Sequence, residues 1–153
     1  QKQAIRTLHF ESHYAYKDRI PALRQEFAAC GIELHMKIGV ESFDEALREN
    51  LLHKGMPAAT PAQIAEHFDE CCLLIGVPGQ TLEGLRRDID TALQYFDRVC
   101  LNLFTACSAP LSPDEAVKQL FLQELYPTLA DNPSIDILLN NTDFGVGTVT
   151  CHE

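Results

Sequence analysis

Two spacings of apolar residues alternate along this chain. Short runs that are apolar throughout, or at every second position, lie at 7–11, 33–40, 71–75, 99–104 and 135–139 and read as strands. Between them apolar residues recur three or four apart: Ile20, Leu23 and Phe27; Leu47, Leu51 and Leu52; the stretch 82–96; and Val117, Leu120, Phe121 and Leu125. That spacing predicts amphipathic helices. The punctuation agrees with it. Asp18 stands as N-cap and Gly31 as C′ glycine of the first helix, and Gly55 ends the second. Ser42-Phe43-Asp44-Glu45, Thr60-Pro61-Ala62-Gln63 and Ser112-Pro113-Asp114-Glu115 have the form of capping boxes.

A chain that alternates strand and helix calls for an α/β fold with parallel strands joined by right-handed crossovers. A complete eight-unit barrel takes about 250 residues. The 153 residues here suit one domain, over 1–153, that forms a partial, TIM-like barrel or a smaller open sheet. In either case chemistry belongs where strands end and helices begin. The corner Gly76-Val77-Pro78-Gly79-Gln80-Thr81 after the third strand is the most marked of these: its glycines allow positive φ or close approach to a ligand, and Thr81 caps the next helix. The plainer alternative is that these are turn residues only.

Composition narrows the classes. With 46% hydrophobic and 22% charged residues the chain has the makings of a packed core, and 12 Lys and Arg against 22 Asp and Glu give a formal charge of -10. No basic cluster interrupts that balance, so a nucleic-acid partner is not expected. No run approaches the roughly 20 apolar residues of a membrane span, and no apolar segment of a signal peptide follows Gln1, so the expected location is cytoplasmic. The absence of an initial Met suggests residues upstream. Cysteines at 30, 71, 72, 100, 107 and 151 are too widely spaced for a compact zinc or cluster motif. Cys71 and Cys72 would point to opposite faces of a strand, and Cys71, Cys72 and Cys100 read as buried thiols. Sequence signatures of serine hydrolases, zinc peptidases, phosphate loops and dinucleotide folds are absent.

Taken corner by corner, the strand ends bring up Glu11, Ser12 and His13; Gly39, Glu41 and Ser42; Gly76, Gly79 and Gln80; Thr105, Cys107 and Ser108; and Asn140, Asn141 and Asp143. Carboxylates, amides and hydroxyls converging on one mouth suit a polar small molecule with amino and hydroxyl groups. Glu41 has a second explanation, since a carboxylate ahead of a helix also favours its dipole. His9 and His13 are four apart but on extended chain, which separates them and makes structural or solvated roles the expectation.

The corners Ile38-Gly39-Val40-Glu41-Ser42-Phe43-Asp44 and Leu74-Ile75-Gly76-Val77-Pro78-Gly79-Gln80-Thr81, in this order and followed by the strand 99–104, resemble the fourth and fifth strand ends of radical S-adenosylmethionine (SAM) enzymes, in particular the branch of oxygen-independent coproporphyrinogen oxidase. The likeness covers most of residues 8–104. It implies that Glu11 helps to hold SAM and that Glu41 meets its nucleoside or methionyl part. Gly39 and Ser42 flank that contact, and Gly76 and Val77 lie against the adenine. It also implies an iron-sulfur oxidoreductase with a 4Fe-4S cluster. Here the chain departs from the pattern, for it contains no Cys-x-x-x-Cys-x-x-Cys loop, and Cys72 stands where similar enzymes often have Asp. The expectation is therefore the C-terminal portion of such a protein, strands three to seven, with the cluster ligands upstream and no radical activity of its own. Its partners would be a small-molecule substrate and either a missing N-terminal segment or a second copy. Two alternatives stay open: a non-catalytic half-barrel that packs against a partner, and another α/β enzyme that binds a phosphorylated ligand at the helix starts Ser42 or Thr81.

Overall fold

The computed structural model describes residues 5–106 and 110–140. Among these, five strands form one sheet in the order β1-β2-β3-β4-β5, with every neighbouring pair parallel. The strands are β1 (Thr7–Glu11), β2 (Glu33–Glu41), β3 (Glu70–Ile75), β4 (Arg98–Leu103) and β5 (Ile135–Leu138). Helices α1 (Ile20–Ala29), α2 (Pro61–Ala65), α3 (Leu82–Tyr95), α4 (Glu115–Leu120) and α5 (Tyr126–Leu129) fill the crossovers. The sheet curls into a half-barrel, as the alternation of strands and helices predicts. No helix among the described residues is long and apolar enough to cross a membrane.

Strand periodicity sorts the side chains onto two faces. Met36, Ile38 and Val40 of β2, Leu73 and Ile75 of β3, and Leu101 of β4 turn outward and pack under Ile20, Ile64, Leu85, Ile89 and Phe121 of the helix layer. That layer is the core. The residues between them turn to the concave side. Asp69 aligns the strand starts: its carboxylate accepts from Met36 N and Arg24 Nη2, both at 2.7 Å, while Asp97 N donates to its carbonyl.

Helix starts follow local chemistry more closely than the box pattern does. Thr60 and Gln63 make a complete capping box, and Thr81 Oγ1 accepts from Gly84 N at 3.0 Å. At two other starts the acid of the box, not its serine, makes the cap. Asp44 Oδ1 accepts from Ala46 and Leu47 N ahead of a wide helical turn at Ala46–Leu51, and Asp114 Oδ1 accepts from Ala116 and Val117 N. Asp18 is not a cap, because a 3-10 turn over Tyr14–Arg19 precedes α1, and His13 Nδ1 caps that turn by accepting from Ala15 N.

Phe121 is fully buried where the turn after α4 meets the core. Phe121→Ala is expected to lower unfolding free energy by about 3–5 kcal/mol in urea titration. A loss under about 1 kcal/mol would show that this turn does not close the core.

Candidate functional site

Two carboxylates stand at the concave mouth. Glu11 ends β1, exposed, opposite Lys37 in the register. Glu41 ends β2 just beyond a register shift between Gly39 and Glu41, and it holds φ 68°. Positive φ is uncommon for a residue with a side chain, and a bulge is a place where a strand re-aims one. Here it folds the Glu41 carboxylate back over Gly39, so that a Cβ on Gly39 would lie 2.7 Å from Glu41 Oε1. A larger residue there would push the ends of the Glu41 and Lys54 side chains aside.

Lys54 ties the two corners together. Its Nζ donates to Glu41 Oε1 at 3.1 Å, and its carbonyl accepts from His13 Nε2 at 2.7 Å. Burial pushes the Glu41 carboxyl above its ordinary range; the Lys54 charge and hydrogen bond pull it back, and the negative charge of nearby Glu11 adds to the rise.

The other two corners are occupied from within. Ser42 is fully buried and donates to Asp88 Oδ2 at 2.6 Å, while Asp88 Oδ1 accepts from Phe43 N. Ser42 thus ties β2 to α3. Burial raises the Asp88 carboxyl, and these two hydrogen bonds oppose the rise. Gly76 holds φ 97°, and a side chain there would run into Lys118 of α4. Val77 is fully buried. The N–H groups of Gly76 and Val77 both donate to Gln80 Oε1 at 2.9 Å, and Gln80 Nε2 donates to the Leu74 carbonyl. Gln80 was legible only as a corner residue. Its role as an internal staple depends on a side chain that curls back four residues, a distance no pattern announces.

Deeper on the concave face lies a cavity of about 450 Å³. Its charges are mostly paired. His9 Nδ1 meets buried Glu70 Oε1 at 2.6 Å, Lys37 Nζ lies 3.7 Å from Glu70, and Arg98 binds Asp136 through two nitrogens at 2.5 and 2.7 Å. Asn102 Oδ1 is buried without a partner among the described residues. Cys72 and Cys100, directly opposite in the register, also face this cavity, whereas Cys71 faces the helices. Two thiols assigned to a plain core thus stand at a polar surface. Thr105 and Asn140 are described; Cys107, Ser108, Asn141 and Asp143 lie outside the described residues. A phosphate at the start of α3 would meet the carboxylates of Asp44 and Asp88, and Arg87 there is already paired with Glu83.

No family model matches the chain, and no curated protein matches it. A solved structure does: queuine lyase from Clostridium spiroforme bound to SAM and queuine, with 39% sequence identity over 94% of this chain and a TM-score of 0.86. The likeness supports the radical SAM superfamily. It does not support the coproporphyrinogen oxidase branch. The chain spans 60% of the length of that structure's chain.

Do the residues suit the superfamily's groups? For SAM they do: two carboxylates match an ammonium and ribose hydroxyls. For an iron-sulfur cluster the described residues do not. Cys30 is exposed at the end of α1, Cys71 points into the core, and only Cys72 and Cys100 share a face. Among the described residues no group of three Cys, His, Asp or Glu side chains is placed to hold a metal.

Two outcomes test this geometry. Because folding raises the Glu41 pKa, the native chain binds that proton more tightly than the unfolded chain does, and the stability it contributes is lost as pH rises. The stability of the native chain relative to Glu41→Gln should therefore fall as pH climbs from about 4 upward, read by urea titration; a constant or rising difference would contradict the buried placement. Gln80→Leu strands two buried N–H groups and should cost at least about 2 kcal/mol, and unchanged stability would show that the staple is idle.

Proposed function

We propose that this chain is the SAM-binding part of a radical SAM iron-sulfur oxidoreductase whose substrate is queuine or a base of similar chemistry. One observation carries the reading: Glu11 and Glu41 end neighbouring strands, near enough for the charge of one to raise the carboxyl of the other, and the second is held at positive φ over Gly39. The 39% identity to a SAM-bound lyase supports it.

SAM presents an ammonium, two ribose hydroxyls and a carboxylate. Glu11, which has no hydrogen-bond or ion-pair partner among the described residues, is the free acceptor for its donors. Glu41 is a second acceptor already oriented by Lys54, and the Lys54 ammonium can answer a carboxylate. When bound, SAM supplies the radical chemistry of the superfamily. The work of this chain is to bind it, orient it against the cavity below, and limit the water that reaches both.

The cavity suits a nitrogen-rich base. Its volume falls within the range of small-molecule sites. The unpartnered Asn102 Oδ1 can accept from a ring or exocyclic N–H, and the paired His9–Glu70 and Arg98–Asp136 side chains hold a polar wall in place around it.

Calorimetric titration tests both halves. SAM is expected to bind, with Glu11→Gln and Glu41→Gln each weakening it about tenfold or more, as expected for loss of one charge-assisted hydrogen bond. Asn102→Leu is expected to weaken queuine by a similar factor and to leave SAM unchanged. No SAM binding, or SAM binding indifferent to both glutamates, would overturn the cofactor assignment; queuine binding indifferent to Asn102 would overturn the substrate assignment.

A further inference from the structure

Cys72 and Cys100 occupy directly opposed positions on the neighbouring parallel strands β3 and β4. Both turn to the concave face and line the cavity, with Cys72 half-buried and Cys100 nearly covered. The two thiols are near enough to perturb each other's ionisation. Neighbouring strands run about 4.8 Å apart, inside the 4.4–6.8 Å span of Cα separations that a disulfide bridges. Neither thiol has a role in the cofactor contact described above, and Cys71, next in the chain, is turned away into the core.

We propose that Cys72 and Cys100 are a site of reversible oxidation, a dithiol that closes to a disulfide on the cavity wall when a small-molecule disulfide enters. This inference does not rest on which ligand the cavity holds. The Cys72 thiolate attacks one sulfur of the entering disulfide, forms a mixed disulfide and expels one thiolate. Cys100 then gives up its proton and attacks the Cys72 sulfur, which expels the second thiolate. Two protein thiols are oxidised, one disulfide is reduced to two thiols, and the two protons pass to the leaving sulfurs. The surroundings favour that order. Cys72 is half-buried and Cys100 nearly covered, so an entering disulfide meets Cys72 first, and the Lys37 ammonium favours the thiolate of each.

The probe is 2-hydroxyethyl disulfide, small and neutral, added to the folded chain. Remaining thiols are alkylated, and the bridges are mapped by proteolysis and mass spectrometry. The expected product joins the Cys72 peptide to the Cys100 peptide and carries no reagent on either sulfur. Cys71→Ser should leave that bridge intact, which separates Cys72 from its neighbour on the same peptide. Cys100→Ser should stop the reaction at a mixed disulfide on Cys72. A bridge made through Cys71, reagent retained on both Cys72 and Cys100 in the unsubstituted chain, or no reaction of either while circular dichroism shows the fold intact would each overturn the proposal. Mapping on the unsubstituted chain needs no variant to fold.

Discussion

A parallel sheet with helices on one side only must put something other than a core on its second face. Parallel sheets usually have both faces covered. In the described part of this chain the helix layer takes the outward residues of β2, β3 and β4, and the concave residues are His9, Lys37, Glu70, Arg98 and Asp136. Removing a charge from water is costly unless another charge and hydrogen bonds replace the solvent. Lys37 lies by Glu70 and Arg98 binds Asp136 as opposite charges, and Glu70, almost wholly buried, is also hydrogen-bonded to His9. Such pairs add little net stability. Their effect is to hold a polar surface rigid, so that the groups left over, Glu11 and Asn102, are presented at fixed positions.

The corners above that surface are held by contacts that no strand or helix requires. Lys54 joins the ends of β1 and β2, Asp88 joins the end of β2 to α3, and Gln80 closes the Gly76 loop on itself. Lys54, paired with Glu41, and Asp88, which binds the adjoining Ser42 and Phe43, brace the positive φ of Glu41 from both sides. A flexible corner would let that residue relax.

Much of the fold could be read from the chain because local signals agreed. Period-two apolar runs found all five strands within a residue or so of their ends, and Gly31, Thr60 and Thr81 mark helix ends where expected. The caps at Asp44 and Asp114 were misread because serine and aspartate compete for the same N–H groups, and tertiary demand decides: Ser42 is claimed by Asp88, forty-six residues away. Among the residues read as a site, Glu41 lies over Gly39 and near Glu11. Ser42, Gly76 and Val77 share the same region, yet their polar groups are engaged by Asp88 and Gln80. The concave cavity was not legible at all. Its members come from all five strands and meet only through register, a relation that a single sequence does not display.

The central claim is that an adenosyl ligand settles against Glu11 and Glu41 at the concave mouth. Amide chemical-shift mapping on the folded chain during titration with SAM tests it most directly. Perturbations gathered at Glu11, at residues 37–41 and at Lys54 are the predicted result. Perturbations centred on the start of α3, from Thr81 to Asp88, or none at all, would contradict it.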